Sequence, residues 1–374
     1  MAYKGKHLKM ASISDIHLGH SNTPTVDVIA RLRETFRDCD ETGELDIIWL
    51  AGDIFDKLLF FPDNNVHELQ LWINDFLRMC SKRDIVVRVL EGTPSHDRGQ
   101  GKHFVTINSL GGHNVDLKYV DTLSIEYIKR FDINVLYVPD EWDHDPNVTW
   151  ESVCGLLQQH GLDKVDYAIM HGQFEYHLPE HLKLPSHESK RYLSIVKRYI
   201  FIGHIHLTSI VERILTAGSF DRICHNEEGP KGHFRVQVSD DGKHDKITFV
   251  ENKQATKYIT INCMEVSIEG VWERLAEYKE YPANSHFRLQ CTKDSEIRHS
   301  MSEVKERYPL FHWKLKITAQ ETDGQTATTG LVDKFVATEI SPGNICALVQ
   351  EKLNAQELDS RVLQRTMLLL DKVI

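Results

Sequence analysis

The chain has 374 residues, of which 41% are hydrophobic, so it can bury a sizeable core and is expected to fold into two or three domains. No apolar run is long enough to cross a bilayer, and the N-terminal segment lacks the apolar region of a signal peptide. A formal net charge of −11 excludes a generally basic nucleic-acid surface and confines any such surface to a local patch.

Strand-like and helix-like segments alternate through the first two thirds of the chain. Amphipathic patterns predict helices over 25–41 and 64–82, and strand-like pieces with tight turns after residue 207 indicate added antiparallel strands. Apolar strands are predicted, in chain order, over 8–14, 45–52, 84–92, 133–139, 165–172 and 198–206. Such strands separated by helices are typical of a sheet covered on both faces, so we predict an α/β layered domain.

Composition divides the chain into four parts. The α/β pattern occupies 1–255, and a strand–helix–strand–helix–strand pattern over 256–318 has the size of a small α+β module. A polar, Gly/Thr-rich stretch over 319–330 is typical of a linker, and 331–374 is predicted to be helical. The last helix has an apolar stripe that could dock a partner or pack back on the small module; it consists of Leu363, Met367, Leu370 and Ile374.

Five predicted strands of the α/β part end in aspartate or histidine. Ligands gather at the carboxyl ends of the strands in open α/β sheets, so these side chains are expected to converge on one rim. Mixed carboxylate and imidazole ligands suit Mn, Zn or Fe better than Ca. The strand-end residues are Asp15 and His17, Asp53 and Asp56, His96 and Asp97, His171, and His204 and His206.

The spacing of these residues predicts more than one metal ion. Residues i and i+2 of an extended segment point the same way, so His204 and His206 can face one cation. Six ligand-type side chains are too many for a single ion that must also hold water and substrate, and Asp53 is the natural bridge between two ions. Two ions about 3.5–4 Å apart are the usual arrangement for phosphate ester hydrolysis. Any one of these histidines alone would more often be structural; five clusters in order favour the metal interpretation.

The motifs resemble the calcineurin-like metallophosphoesterase superfamily, whose pattern is DxH, GDxxD, GNHD or GNHE, H, and GHxH. Within it the chain is similar to the SbcD-type DNA nucleases, the bacterial and phage counterparts of the meiotic-recombination nuclease. The stretch "TAGSFDRICHNEEGPKGHFRV" over 216–236 and the four-part plan carry this closer resemblance. It implies a layered β-sandwich flanked by helices, a small α+β capping domain and C-terminal helices. A phage member is compatible with the short capping region.

Carried over to this chain, the resemblance implies a pair of metal positions. The first would use Asp15, His17, Asp53 and His206, and the second Asp53, His171 and His204. His96 matches the family's catalytic histidine, which stabilises the scissile phosphate and protonates the leaving 3′-oxygen.

Three neighbouring residues have supporting roles in this interpretation. Asp97 is expected either to orient His96 or to cap the loop, and Asp56 to contact a ligand rather than an ion. The chain departs from the family at Ser95, which stands where the family has an asparagine ligand of the second ion, after Pro94 in place of a glycine. We expect Ser95 to be a weaker ligand, so that the second ion binds less tightly.

The function implied by the resemblance is a DNA nuclease subunit that uses two divalent ions, Mn²⁺ with Mg²⁺ as the alternative. It would act as a double-strand exonuclease and single-strand endonuclease in DNA recombination, repair or replication. Its partners would be DNA, a second copy of the chain in a homodimer and an SbcC-type coiled-coil ATPase. No association with a membrane is expected. The scattered cysteines suit reduced thiols, so the location would be the cytoplasm, that of the host for a phage protein.

Other functions are compatible with parts of the pattern. A phosphoprotein phosphatase would carry GDxVDRG, whereas this chain has "GDIFDKL" from Gly52. A small-molecule phosphodiesterase also uses a GDIFD-like run but would not need the cap and the C-terminal helices. A non-catalytic scaffold would have lost ligands that this chain retains. For the basic run 189–201, a DNA contact and a solvated helix face are the two interpretations.

Overall fold

A computed structural model describes residues 7–60, 64–140, 145–179, 184–240, 242 and 244–318. These residues belong to one compact unit, Met1–Thr318. The linker predicted over 319–330 and the helical region predicted over 331–374, with its apolar stripe, lie outside the described residues.

The described part of the chain contains the following elements. The strands are β1 (His7–Ile13), β2 (Ile47–Ala51), β3 (Val86–Leu90), β4 (Leu117–Val120), β5 (Ser124–Ile128), β6 (Ile133–Val138), β7 (Tyr167–His171), β8 (Ile200–Gly203), β9 (Ser209–Val211), β10 (Ile214–Thr216), β11 (Gly232–Ser239), β12 (Lys246–Glu251), β13 (Tyr258–Asn262), β14 (His286–Cys291) and β15 (His312–Ile317). The helices are α1 (Thr25–Thr35), α2 (Asp40–Gly43), α3 (Asn64–Arg83), α4 (Lys102–Leu110), α5 (Pro146–Gln159), α6 (Ser189–Ile195), α7 (Ile268–Ala276) and α8 (Met301–Arg307).

The first six-stranded sheet has the order β12-β11-β1-β2-β3-β4. Strands β1 to β4 are parallel, and β11 and β12 add antiparallel neighbours at one edge. All five residues of β2 are buried because both faces of the sheet are covered. Ile48 and Leu50 pack with residues of α1 and α3, while Trp49 and Ala51 belong to a core on the opposite face.

The second six-stranded sheet has the order β5-β6-β7-β8-β10-β9, with β6, β7, β8 and β10 parallel. Its inner residues, such as Tyr137 and Phe201, share one core with Trp49 of the first sheet, so the two sheets face each other. Its outer residues, such as Met170, pack with residues of α5 and α6. The predicted α/β class is therefore confirmed, as two large mixed sheets flanked by helices.

A third, smaller sheet follows, in which β13, β14 and β15 are parallel. With α7 and α8 it has the predicted strand–helix–strand–helix–strand order, and Cys263, Phe287 and Leu289 lie in a core of its own. The module also contacts the preceding part, because Nε2 of His286 donates to the carbonyl of Asn22 at 2.8 Å. The boundary at 256 stays a prediction.

Two features differ from the expected elements. The helix predicted over 25–41 ends at Thr35 because Phe36 leaves the helical region (φ −114°, ψ 38°) and stacks edge-on against Phe76. Strands β4 and β5 were not predicted, since each is short and only partly buried.

Within the described ranges, no helix combines the length and the apolar character that a membrane crossing needs.

Candidate metal centre

The aspartates and histidines that end the strands converge at one end of both sheets. Three neighbouring parallel strands, β1, β2 and β3, lead into loops that carry acidic residues and histidines, and β7 and β8 do the same in the second sheet. Two groups lie close enough to hold ions: Asp15, His17 and His206, and Asp53, His171 and His204. A third group, His17, Asp53 and His96, connects them.

The first group brings the ring nitrogens of two histidines together. Nε2 of His17 lies 3.1 Å from Nε2 of His206, which in turn lies 3.8 Å from Oδ1 of Asp15. The outer nitrogen of His206 donates to Oε1 of Glu227 at 2.7 Å. Because a neutral imidazole carries a single N–H, this bond leaves Nε2 of His206 as a lone pair that points at His17.

The second group centres on a histidine that is completely buried. Nδ1 of His171 donates to the carbonyl of Ala51 at 2.7 Å, so Nε2 of the neutral ring is a lone pair. This Nε2 has no hydrogen-bond partner among the described residues, and it faces Oδ1 of Asp53 at 3.3 Å. Burial disfavours the charged ring, but attraction to Asp53 raises the pKa of His171 well above its usual value. The carboxylate of Asp53 therefore favours a positive charge at Nε2 of His171, which a proton or a metal ion can supply.

Asp53 is shared by the groups. Oδ1 faces His171 and accepts from the backbone N–H of Thr93 at 2.6 Å, whereas Oδ2 accepts from Nδ1 of His96 at 2.9 Å and lies 4.0 Å from Nε2 of His17. Burial would raise the pKa of this carboxyl, but His171 and His96 together lower it far below its usual value. Asp53 therefore contacts His171 of the second group, and His17 and His96 of the connecting group.

The separations among these donors fit metal ligation. Two donors on one octahedral ion with bonds of about 2.1 Å lie about 3 Å apart when adjacent and about 4.2 Å apart when opposite. The contacts within the three groups span 2.9 to 4.0 Å. Together with the unpartnered Nε2 of His171, this range indicates that the buried His/Asp groups could hold a divalent metal ion with nitrogen and oxygen ligands.

The backbone at the site is strained in order to aim these side chains. Asp15, His17, Asp53 and His204 all have positive φ, at 51°, 53°, 50° and 93°. Non-glycine residues adopt such angles at a cost of about 1–3 kcal/mol each, and they concentrate at functional sites. Gly52 (φ 84°) permits the close approach, because a Cβ there would lie 2.3 Å from Nδ1 of His171.

His96 lies at the mouth of the site, and its side chain is 36% exposed. Its ring meets His17 edge-on at a centroid distance of 5.1 Å. The hydrogen bond to Asp53 raises the pKa of His96, although partial burial opposes the charged form. The bond also fixes the ring, leaving Nε2 as the nitrogen for an outside partner.

Asp97 has a structural contact pattern. It is buried, and its two oxygens accept the backbone N–H groups of Asp53 at 3.0 Å, Phe55 at 2.9 Å and Gly92 at 2.7 Å. Burial raises the pKa of Asp97 to about 7 despite these bonds. Since Nδ1 of His96 bonds to Asp53, the orienting role predicted for Asp97 belongs to Asp53, and Asp97 instead joins the loops after β2 and β3.

Asp56 and Ser95 lie at the edge of the site. Oδ1 of Asp56 is 3.5 Å from Nδ1 of His17, on the side of the ring away from His206, so it contacts a candidate ligand as predicted. Ser95 is exposed, and its carbonyl accepts from Nε of Arg98 at 3.0 Å. The ligand role of Ser95 stays a prediction.

Two residues that the sequence analysis missed lie beside His204. The hydroxyl of Thr93 is 3.2 Å from Oδ2 of Asp53 and 3.0 Å from Oδ2 of Asp140, and the latter oxygen is 3.7 Å from Nδ1 of His204. A signal for Asp140 was present, because it follows the predicted strand 133–139 just as the other candidates follow theirs. Thr93 had no comparable signal.

A buried ion pair supports His206 from behind. Glu227, which accepts from His206, also faces Nζ of Lys231 at 3.2 Å, and that lysine is 1% exposed. Lys231 donates to Oγ of Ser219 at 2.7 Å and to the carbonyl of His206 at 2.9 Å. Burial raises the pKa of Glu227, but His206 and Lys231 prevail and lower it to about 2. These residues come from the 216–236 stretch, which the sequence analysis had used only for resemblance.

Comparisons with known proteins leave the family open. No family model and no curated protein matches the chain. The solved structure of TT1561 of Thermus thermophilus is 10% identical with a TM-score of 0.36, and the match covers 65% of this chain and 98% of that one. GAP50, the anchor in the inner membrane complex of Plasmodium, is 13% identical with a TM-score of 0.39, over 67% and 86%. Likenesses this distant carry no functional argument, so the function must be argued from the site.

Proposed function

We propose that the protein is a metal-dependent DNA nuclease subunit of the SbcD type, with the layered fold of the calcineurin-like metallophosphoesterases. The observation that carries the proposal is the pair of His/Asp groups at the strand ends, with Asp53 common to the second group and to the group that connects it to the first. A shared carboxylate between two sets of nitrogen and oxygen ligands is the arrangement that two-ion phosphoesterases use.

Named residues would hold the two ions. Asp15, His17 and His206 would bind the first, His171 and His204 the second, and Asp53 both. When bound, such a pair, most readily Mn²⁺ with Mg²⁺ as the alternative, supplies charge neutralisation at the phosphoryl oxygens and activation of water.

His96 would act on the leaving group. Its Nδ1 is bonded to Asp53, and the ring is accessible at the mouth of the site. Nε2 is thus the nitrogen available to hydrogen-bond the scissile phosphate and to give a proton to the departing 3′-oxygen, as a general acid does. The strained loops, and the hydrogen bond that Asp97 accepts from the backbone N–H of Asp53, hold the candidate ligands and His96 in place before substrate binds.

A cationic face on the small sheet favours a polyanionic substrate. His312, Lys314 and Lys316 alternate along β15 and are exposed, so they share one face. Arg288 pairs in register with Lys314, and its guanidinium donates to Oδ1 of Asn226 at 2.8 Å, beside Glu227. An extended phosphate backbone can neutralise such a row, whereas a small phosphodiester cannot span it.

The basic run 189–201 supports the alternative interpretation, a solvated face. Arg191 pairs with Glu188 at 2.7 Å, Lys197 pairs with Asp166 at 3.0 Å, and Arg198 donates to the carbonyl of Asp240. Cations that are already paired in this way contribute less to the binding of a phosphate backbone. The small sheet is therefore the better candidate for the DNA contact.

The proposal is tested by cleavage of linear double-stranded and circular single-stranded DNA with Mn²⁺, Mg²⁺ or EDTA. We expect cleavage with Mn²⁺ and none with EDTA. Lys314→Ala should lower the affinity for DNA and make binding less dependent on salt. Lys305→Ala, at an exposed position of α8, should leave both quantities unchanged. Hydrolysis of bis(p-nitrophenyl) phosphate without DNA cleavage would indicate a small-molecule phosphodiesterase. Metal binding with no hydrolysis of either substrate would indicate a scaffold.

The proposed assembly follows from the resemblance. A homodimer would bind an SbcC-type ATPase in the cytoplasm through the region 331–374, which lies outside the described residues. A chain that ends at residue 330 should remain a nuclease and should no longer co-purify with the ATPase. Continued co-purification would move the docking surface elsewhere.

A further inference from the structure

The small sheet carries a row of stacked rings across its three strands. Tyr258, His286 and His312 lie side by side in register on β13, β14 and β15. The ring centroids of Tyr258 and His286 are 4.3 Å apart with their planes 2° from parallel, and those of His286 and His312 are 4.4 Å apart at 19°. The three rings therefore form one continuous stack that runs across the sheet from β13 to β15.

The first two rings of this row are held by the preceding part of the chain. Tyr258 and His286 are both buried. The hydroxyl of Tyr258 donates to the carbonyl of Ile223 at 3.0 Å, and Nε2 of His286 donates to the carbonyl of Asn22, on the loop after β1 that also contains candidate metal ligands. Burial and the neighbouring His312 lower the pKa of His286 to about 4, so the ring is neutral at pH 7 and its single N–H is the one that Asn22 accepts.

The third ring ends the row at the edge of the sheet. Among the described strands, none pairs with the outer side of β15. His312 is exposed, and one face of its ring covers His286, so the opposite face is directed beyond the edge of the sheet. A stack that stops at an exposed ring face can be continued by another planar ring that lies parallel to it.

Positive charge beside the open ring face indicates which kind of ring would continue the stack. Lys314 and Lys316 follow His312 at intervals of two residues, about 6.6 Å each, and are exposed on the same face of the sheet. An aromatic side chain offers a ring alone, whereas a nucleotide combines a planar base with a phosphate for the lysines. The bases inside a duplex are already stacked on both faces, so only an unpaired base or one at a duplex end can stack on His312.

We propose that the outer face of His312 is a stacking site for an unpaired base of DNA, and that Lys314 contacts the phosphate backbone of the same strand. This inference rests on the proposed nuclease function and deepens it, because it names the form of substrate that the small sheet takes: a single strand or the frayed end of a duplex. Every base has a flat ring face, so recognition at this site does not depend on sequence.

The test is the affinity of the full-length chain for a thymidine strand of about ten nucleotides and for an abasic strand of the same length, measured by fluorescence anisotropy in EDTA. The wild type should bind the thymidine strand about 10-fold more tightly than the abasic strand. His312→Ala should remove this preference and leave the affinity for the abasic strand unchanged. His312→Phe, which keeps a ring, should retain most of the preference, and His312→Lys, which keeps only a charge, should not.

Two further variants separate stacking from charge and from general effects on the module. Lys314→Ala should lower the affinity for both strands alike and make binding less dependent on salt, because a phosphate contact is the same in the two strands. His299→Ala is the matched control, since His299 is an exposed histidine of the same module that lies outside the row, and it should behave as the wild type does.

The outcomes separate this inference from the proposed function. Equal affinity of the wild type for the two strands, or an undiminished preference for thymidine in His312→Ala, would overturn the stacking site even if the protein cleaves DNA with Mn²⁺. A wild type that prefers thymidine through His312 but cleaves no DNA would support the stacking site and overturn the proposed catalysis. Thermal unfolding of each variant identifies loss of folding, and the contrast between His312→Phe and His312→Lys keeps the inference testable if His312→Ala is unstable.

Discussion

Two buried polar clusters of this protein differ in how their charges are balanced. At one of them Arg88 on β3, which is 4% exposed, donates Nε and Nη2 to the two oxygens of Glu126 on β5, each at 3.0 Å. The hydroxyl of Tyr137 donates to the same carboxylate at 2.8 Å. Cation and anion neutralise each other here and connect the two sheets, so the cluster is complete without a ligand.

The cluster at the strand ends is not balanced in this way. In the described side-chain contacts of Asp53, the partners are imidazoles and the hydroxyl and backbone N–H of Thr93 rather than lysine or arginine. Imidazole nitrogens face one another or a carboxylate, as with Nε2 of His17 and Nε2 of His206, which lie 3.1 Å apart. A buried carboxylate that no lysine or arginine neutralises is one that a metal ion can complete, and this difference separates a structural cluster from a candidate site.

The largest effect is expected at the shared carboxylate. Asp53→Ala should remove both metal ions and lower DNA cleavage by at least about 10³-fold, because each ion loses a ligand and the link to the other. In EDTA the variant should unfold somewhat earlier than the wild type, because alanine keeps the strained φ of 50° and the backbone N–H of Thr93 loses its acceptor. Metal analysis, cleavage assays and calorimetry measure the three quantities. Retention of two ions by the variant would rule out the bridge.

His96→Ala separates catalysis from metal binding. Loss of a general acid should lower cleavage by about 10²–10⁴-fold and leave both ions bound. His103→Ala is the control, because His103 is an exposed histidine seven positions further along the chain. If His96→Ala loses an ion in metal titrations, His96 is a ligand, as the group with His17 and Asp53 would allow.

Arg88→Leu sharpens the comparison from the other side. It leaves the half-buried Glu126 with only the more distant Lys118, at 3.9 Å, and should lower the free energy of unfolding by about 1–3 kcal/mol, equally with Mn²⁺ and with EDTA. Chemical denaturation in both conditions measures this. A loss of stability seen only with Mn²⁺ would mean that the Arg88 cluster is coupled to the metal site and is not self-sufficient.

The smallest effect is expected behind His206. Glu227→Gln keeps an acceptor for Nδ1 but removes the charge, and should weaken only the first ion, by about 10-fold. Because Lys231 then lacks its partner, the double variant Glu227→Gln/Lys231→Met should recover stability and retain the metal defect. Equal weakening of both ions in titrations would assign these residues a general structural role instead.

The sequence predicts those residues of the site that are of a metal-binding type and also follow an apolar strand directly. Asp15, His17, Asp53, His171, His204 and His206 were predicted from residue type and from position after apolar strands. That rule transfers because parallel strands bring their carboxyl ends to one edge. It would also have found Asp140, had the strand before it been considered with the others.

Loop contacts could not be predicted in the same way. Whether Asp97 faces His96 or backbone N–H groups depends on how the loops after β2 and β3 approach each other, which only the packed sheets determine. The same holds for Thr93, which reaches the site while the nearby Ser95 is exposed. Glu227 and Lys231 become buried through the chain that follows β10, a contact that local pattern does not encode.

The central claim is that two divalent ions share Asp53. Anomalous diffraction from crystals of the full-length protein soaked in Mn²⁺ tests it most directly. We predict two peaks about 3.5–4 Å apart, one among Asp15, His17 and His206 and one beside His171 and His204, with Asp53 between them. A single peak, or peaks away from Asp53, would contradict the account.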